Sequence, residues 1–275
     1  MNYAIRAVEG VKFGFAAVTH VNKTFDNRVP VELTKGHFTV KTIETRRELW
    51  QVYKLRYDVF HREYKNRKFP FGIDSDRYDQ WADHLAIIDN RIGRIVGTYR
   101  LIRGAQSQDF YSSSEFDIRQ ISKFDGPKVE LSRACIQKSY RNGSVIALLW
   151  RGICEYVSAS GARWLFGLGS IRSTAPGEIA AIYKYLTEEG AVDSNLQVPA
   201  VNKYIISNFK DLVAKAIVSQ DTRESIPPLL KSYLKLGAVL GSDVALDLEF
   251  NCADLFVILE VTKITASFSK RFQVH

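Results

Sequence analysis

The chain has 275 residues, of which 46% are hydrophobic and 25% charged, with a formal net charge of +8 at pH 7. That length can bury a real core as one large domain or as one domain with an appendage. No segment approaches the roughly eighteen consecutive apolar residues of a membrane-spanning helix. In "VKFGFAAV", Lys12 and Gly14 interrupt the run and no small-residue cleavage site follows, so no secretory leader is expected.

Cys135, Cys154 and Cys252 are widely spaced in apolar runs, the pattern of reduced thiols in a cytoplasmic protein. The five histidines are scattered and none stands at i+3 or i+4 from another ligand, so no metal is expected. The positive charge calls for an acidic partner: nucleic acid, an anionic membrane surface or an acidic protein. Basic residues are dispersed, with small clusters at 62–68 (Arg62, Lys65, Arg67, Lys68) and at 138–141. With neither a recognition helix nor an arginine-rich arm, nucleic acid is not the expected partner.

Residues 1–36 have weak periodicity and read as an N-terminal extension. "HFTVKTIE" (37–44) alternates like a strand. Thr45, with Glu48 three residues on, then predicts a capped helix through "TRRELWQVYKLRYDVFHREY", ended by Pro70, Gly72 and a run of aspartates. "HLAIID" (84–89) and "RIVGTYRLI" (94–102) make a hairpin across Asn90–Gly93, and 106–114 is a polar loop. A strand at 129–136, a helix at about 144–158 and a strand at 163–171 imply a parallel pair with a right-handed crossover. Segment 175–226 reads as a helical insertion. Residues 227–262 give a helix opened by Pro227-Pro228 and two strands, "VALDLEF" and "DLFVILEV". The expected fold is mixed α/β, one domain over 37–275 behind the extension.

Three charged positions break local rules. Arg56 falls inside the apolar stripe Leu49, Val52, Tyr53, Val59, Phe60. It either snorkels from the edge or is paired with a carboxylate, for which Asp74, Asp79 and Glu130 are candidates. Arg100 lies mid-strand on the face of Val96, Thr98 and Ile102, which suits an edge strand with one solvated side. In "VELSRACI", strict alternation puts Glu130 and Arg133 on opposite faces. A β-bulge would bring them together, and bulges concentrate beside active sites; the alternative leaves Glu130 in water. The turn Tyr140–Ser144 enters a helix whose first N–H groups can hold an anion or a carbonyl.

Placed in order, three stretches carry a resemblance: "LRYDVFHREY" with "GIDSDRYDQWADHL", "IVGTYRLI" with "VELSRACIQKSYRNGSVIALLWRGICEY", and "IPPLLKSYLKLGAVLGSDVALDLEFNCADLFVIL". Together they resemble the GCN5-related N-acyltransferase (GNAT) superfamily, over roughly 40–262. Within it they resemble the branch that uses acyl carrier protein: ornithine N-acyltransferases, long-chain N-acyl amino acid synthases and acyl-homoserine lactone synthases, with haemolysin-like relatives. The resemblance implies a centrally splayed β-sheet flanked by helices, and transfer of a long-chain acyl group from a carrier-protein thioester to an amino acid's α-amine, ornithine favoured. The product would be an N-acyl amino acid or lyso-ornithine lipid.

Residue by residue, the resemblance implies Glu130 and Arg133 as catalytic, with Arg56, Asp74, Asp79 and Arg100 in support or binding the acceptor. Phe60 and Trp81 (with Phe69 and Phe71) would line the acyl pocket. Ala134, Cys135, Ile136, Arg141, Asn142, Gly143 and Ser144 would take the acyl and pantetheine groups between the splayed strands. Coenzyme-A-using relatives carry Gln/Arg-x-x-Gly-x-Gly/Ala at this turn, whereas Tyr140, Gly143 and Val145 stand here. That departure favours the acyl-phosphopantetheine of acyl carrier protein over acyl-CoA as donor, with no bound cofactor. A peripheral location at the inner face of the cytoplasmic membrane is a further expectation. The rival readings are a lactone-synthase-like signal synthase, which needs an S-adenosylmethionine pocket, a non-catalytic lipid-binding module, and Cys135 as an acyl-accepting nucleophile, for which no histidine partner motif exists.

Overall fold

The protein is described from a computed structural model covering residues 25, 28–64, 72–105, 107 and 109–264. Phe69, Phe71, Lys65, Arg67, Lys68 and residues 1–24 of the expected extension lie outside the described residues. The chain divides into two compact units, one drawn from Met1–Gln108 and Glu130–Gly161, the other from Asp109–Val129 and Ala162–His275.

The first unit orders its strands β1-β2-β3-β4-β5: β1 Glu32–Lys35, β2 Phe38–Thr42, β3 Asp83–Asp89, β4 Arg94–Arg103 and β5 Lys128–Ile136. The pairs β1/β2, β2/β3 and β3/β4 are antiparallel. Residues 32–35, read from the sequence as extension, form the edge strand. Gly36, at φ +61, turns the chain so that Lys35 pairs with Phe38. The predicted β3/β4 hairpin closes over Asn90–Gly93, where Gly93 also takes φ +61 and donates its N–H to the Asp89 carbonyl at 2.9 Å.

Helix α1 (Arg46–Tyr57) starts as its capping box requires: Thr45 Oγ1 accepts from Glu48 N, and the Glu48 carboxylate accepts from Thr45 N. Its apolar stripe buries Val52, Tyr53 and Leu55 against Ile43, Ala86, Ile95 and Cys135. The expected single helix to residue 64 ends differently. Asp58–Glu63 is a π-helical segment, in which Tyr64 N reaches the Val59 carbonyl at 3.2 Å. Such wide turns recur at functional sites.

Helix α2 (Gly143–Ser160) follows β5 and packs Val145, Leu149, Ile153, Tyr156 and Val157 inward. A Cβ at Gly152 would come within 2.5 Å of Val40 Cγ1, so only glycine lets the helix lie this close to β2.

The second unit contains β6 (Trp164–Ile171), α3 (Pro176–Glu188), α4 (Phe209–Lys215), α5 (Gln220–Glu224), α6 (Pro228–Lys235), β7 (Val239–Asp247) and β8 (Cys252–Glu260). Its strands run in the order β6-β8-β7, both pairs antiparallel. The insertion is less helical than its composition suggests. Gly190, at φ +71, follows the end of α3, and 191–201 runs as turns and short bridges such as Val192 to Leu240 and Ala200 to Phe116. Among the described residues no helix is long and apolar enough to cross a membrane. The architecture is the expected mixed α/β arrangement of strands flanked by helices.

Candidate active site

The aspartate-rich loop after α1 folds back over the helix and strands of the first unit. Asp74 N donates to the Tyr53 carbonyl at 3.1 Å. Asp76 caps a single 3-10 turn (Arg77–Gln80): its side chain accepts from Tyr78 N, while Asp79 accepts from Asp76 N at 2.8 Å. This reciprocal cap holds Asp76 and Asp79 in fixed orientation.

Into this loop come three arginines. Arg56, fully buried, donates from Nε to Asp74 Oδ1 at 2.9 Å and from Nη1 to Asp79 Oδ1 at 2.7 Å. Arg100, equally buried on β4, gives Nη1 to Asp76 Oδ1 at 2.5 Å and to Asp79 Oδ1 at 3.2 Å, and Nε to Ser132 Oγ at 2.9 Å. Arg133 gives Nη2 to Asp76 Oδ2 at 2.9 Å. Three guanidiniums thus face three carboxylates, which is how so many largely buried charges are tolerated. Burial alone would lower the Arg56 pKa and raise those of Asp74 and Asp79. Mutual attraction reverses both, holding the arginine above its ordinary range and the aspartates below theirs.

These contacts decide the open questions. Arg56 does not snorkel; Asp74 and Asp79 hold it. Arg100 is not on an edge, because β4 lies between β3 and β5 and the side chain is fully buried. Glu130 is not in water either: it has no exposed surface. β5 is irregular at Arg133 itself, whose φ is +51. A non-glycine residue in the left-handed region stores strain that persists where surrounding contacts over-determine it. Here the Asp76 contact is one such restraint.

The turn after β5 is tightly tied. Arg141 forms a two-pronged ion pair with Glu63 at 2.5 and 2.6 Å and donates Nε to the Ile136 carbonyl at 2.9 Å, so its charge is already matched within the protein. Asn142 caps α2, its Oδ1 accepting from Val145 N at 3.1 Å and from Ser144 Oγ at 2.6 Å. Beyond Gly143 nothing lies within 4 Å of where a Cβ would stand, leaving the backbone open to a ligand on that side.

Cys135 packs in the apolar cluster under α1, and burial pushes its thiol up to about 12. A thiol so protonated is a poor nucleophile, which weighs against covalent transfer through it. Ala134 and Ile136 on either side are half-buried. Phe60, on the π-helical segment, is half-buried against the same cluster, and Trp81 is half-buried at the end of the Asp76-capped turn.

Sequence reasoning missed Asp76, Ser132, His61 and His84. His61 Nε2 lies 2.9 Å from Asp74 Oδ2, and His84, fully buried, stands 3.7 Å from Asp79. The signal for Asp76 was present: Asp76-x-x-Asp79 has the spacing of a capping box. Nothing local marks the histidines.

A family model described as an acetyltransferase (GNAT) domain matches residues 55–151, the stretch from α1 into α2. The L-ornithine N(alpha)-acyltransferase of Brucella abortus (strain 2308) is 31% identical over 250 residues, covering 85% of this chain and 88% of that protein. The chain belongs to the L-ornithine N(alpha)-acyltransferase family. The family's Rhizobium meliloti (strain 1021) member is 32% identical over 228 residues, covering 78% of this chain and 77% of that one. A solved structure of a CoA-dependent acyl-homoserine lactone synthase, BjaI, with SAM and isopentyl-CoA superposes with a TM-score of 0.46 at 14% identity, covering 82% of each chain. Membership in this family makes the protein an amide-forming acyltransferase, as the resemblance implied.

Proposed function

We propose that the protein transfers a long-chain acyl group from the thioester of acyl carrier protein to the α-amine of L-ornithine. The observation that carries the acceptor is the 31% identity to a curated L-ornithine acyltransferase across 85% of the chain. In the reaction the amine nitrogen attacks the thioester carbonyl carbon, a C–N bond forms, and the C–S bond breaks. The amine's proton leaves through a base and the pantetheine departs as a thiol.

The acceptor's α-ammonium has a pKa of roughly 7.7–8.0, so one nearby carboxylate suffices to generate the free amine. Glu130 is our choice for that base, directly or through a water. The backbone N–H groups around Ala134 to Ile136 are our choice to hold the thioester oxygen as charge develops on it. Arg133 and Asp76, with 12% and 23% of their side-chain surface exposed, form the accessible rim of the arginine–aspartate cluster. Arg133 is therefore our choice to meet the acceptor's carboxylate. Phe60 and Trp81 offer apolar surface to the acyl chain, and the pantetheine arm would pass beside Asn142, Gly143 and Ser144. A carrier protein is acidic, which the net charge of +8 suits, as it suits contact with an anionic membrane surface.

The test is incubation with palmitoyl carrier protein or palmitoyl-CoA and a panel of amino acids, read by mass spectrometry. The expected product is N-palmitoyl-ornithine, formed faster from the carrier protein. No acylated product from any acceptor would overturn the reading. Release of the protein from membranes by a high-salt wash checks the peripheral location.

A further inference from the structure

The second unit holds a cluster of charged groups of a different kind. Glu115, Asp247 and Asp254 are 0, 4 and 4% exposed, and one oxygen from each lies within 4.8 Å of those of the other two. The fold converges them from distant sequence. Asp247 pairs with Cys252 and Asp254 with Ala245 across the β7/β8 hairpin, so both aspartates share one face. Glu115 follows the 3-10 turn Tyr111–Ser114, and its carbonyl accepts from Val201 N at 2.9 Å.

In the first unit every buried aspartate of the acidic loop has an arginine. Here none of the three carboxylates pairs with a Lys, Arg or His among the described residues. The two aspartates are oriented by neutral donors. Asp247 Oδ1 accepts from Glu249 N and Phe250 N at 2.7 and 3.0 Å, and Asp254 accepts from Ser170 Oγ at 2.5 Å and from the Cys252 thiol at 3.4 Å. Glu115 differs: it is fully buried, and although the side chains of Tyr111 and Asp254 approach it, neither of its carboxylate oxygens meets a donor in good hydrogen-bonding geometry. A buried carboxylate with no donor is a large electrostatic debt that a cation would settle.

We propose that Glu115, Asp247 and Asp254 bind a divalent cation of the oxygen-preferring class, with Ca2+ the best fit. Carboxylate oxygens are the ligands such hard ions select. Ca2+ sits about 2.3–2.6 Å from each oxygen, so opposed ligands stand about 5 Å apart, whereas Mg2+ at about 2.0–2.1 Å needs a tighter cage. One oxygen from each residue lies within 4.8 Å of the other two, so all three fit inside a single Ca2+ coordination sphere. Ser170 and Cys252, each donating to Asp254, would fix that ligand's orientation from behind. Scanning the sequence for Cys and His spacing could not find this site, since its ligands are carboxylates 132 and 7 residues apart. The inference stands independently of the acyl-transfer reading.

The full chain, stripped with EDTA and exchanged into metal-free buffer, is titrated with Ca2+, Mg2+ and Mn2+ by calorimetry and thermal unfolding. We expect one Ca2+ per chain and a rise in Tm of several degrees at saturation, with Mg2+ weaker. Glu115→Gln removes one of the three like charges. In EDTA its Tm should equal or exceed that of the parent, and its Ca2+ response should be lost. Asp254→Asn should lose the response as well. Absence of heat and of a Tm change with all three ions would overturn the proposal. So would a Ca2+ response that survives Glu115→Gln, or a Tm rise with L-ornithine but no metal that Glu115→Gln abolishes. That last result would make the cluster an ammonium pocket.

Discussion

Ser132 and Arg133 are neighbours on β5, yet both reach the same cluster. Ser132 Oγ accepts from Arg100 Nε at 2.9 Å, and Arg133 Nη2 donates to Asp76, itself bonded to Arg100, at 2.9 Å. In a regular strand consecutive side chains point to opposite faces. The left-handed backbone at Arg133 (φ +51) is what breaks the alternation. Such a conformation costs a non-glycine residue about 1–3 kcal/mol, most of which glycine avoids. Arg133→Gly should therefore be more stable than Arg133→Ala by about 1 kcal/mol in urea denaturation. Both should lose acyl transfer at least tenfold, with the KM for the amino acid raised if Arg133 binds its carboxylate. Equal stabilities would show that the strand relaxes without its arginine.

Arg56 offers a sharper test of the buried charges. Replacing it by Met conserves much of the side-chain volume but leaves Asp74 and Asp79 without their main counter-charge. Breaking a buried pair in this way typically costs about 3–5 kcal/mol. The urea midpoint should fall accordingly, and Asp79→Asn in the Arg56→Met background should recover part of the loss. A variant as stable as the parent would mean that His61 and Arg100 compensate fully.

Much of the first unit was legible because its signals are local. Thr45 and Glu48 announced α1, the period-2 runs announced β3 and β4, and Arg56 stood out as a charge on an apolar stripe. What could not be read were properties set by contacts between distant segments. Arg100 looked like an edge-strand residue because the pattern of one strand does not say which strands flank it. The π-helical segment at Asp58–Glu63 keeps helical composition while changing its hydrogen-bond period. Glu115 lies 132 residues from Asp247, with no motif between them to suggest that they meet.

The base role assigned to Glu130 makes a kinetic prediction. Glu130→Gln keeps size and hydrogen-bonding capacity but cannot take a proton. General-base catalysis contributes about 10²–10⁴-fold, so kcat should fall within that range while the KM for the acyl donor changes little. Raising the pH, which supplies more free amine, should recover part of the loss in the variant. Parent-like turnover in Glu130→Gln would remove the base from the mechanism.

His84 gives the protein a defined weakness in acid. It is fully buried with both ring nitrogens lacking a hydrogen-bond partner, its ring edge-on to Tyr53 at 5.9 Å. Burial, helped by the positive charges of Arg56, Arg28 and Arg100 against the opposing pull of Asp79, lowers its pKa to about 3. Because the folded value lies below the unfolded one, the imidazole is neutral in both states above pH ~6.5 and contributes no slope there. Between pH ~6.5 and ~3 only the unfolded chain takes up this proton, so stability falls by up to about 1.4 kcal/mol per pH unit. Asp74 and Asp79, held below their ordinary values, add their own loss as the pH falls through the usual carboxylate value of about 3.9 and on toward their folded values. Urea denaturation of the parent and of His84→Leu from pH 7.5 to 4.5 separates the two windows. The variant, which leaves no imidazole to protonate at this buried position, should show a flatter profile above pH 4.5, and parallel profiles would place the acid sensitivity elsewhere.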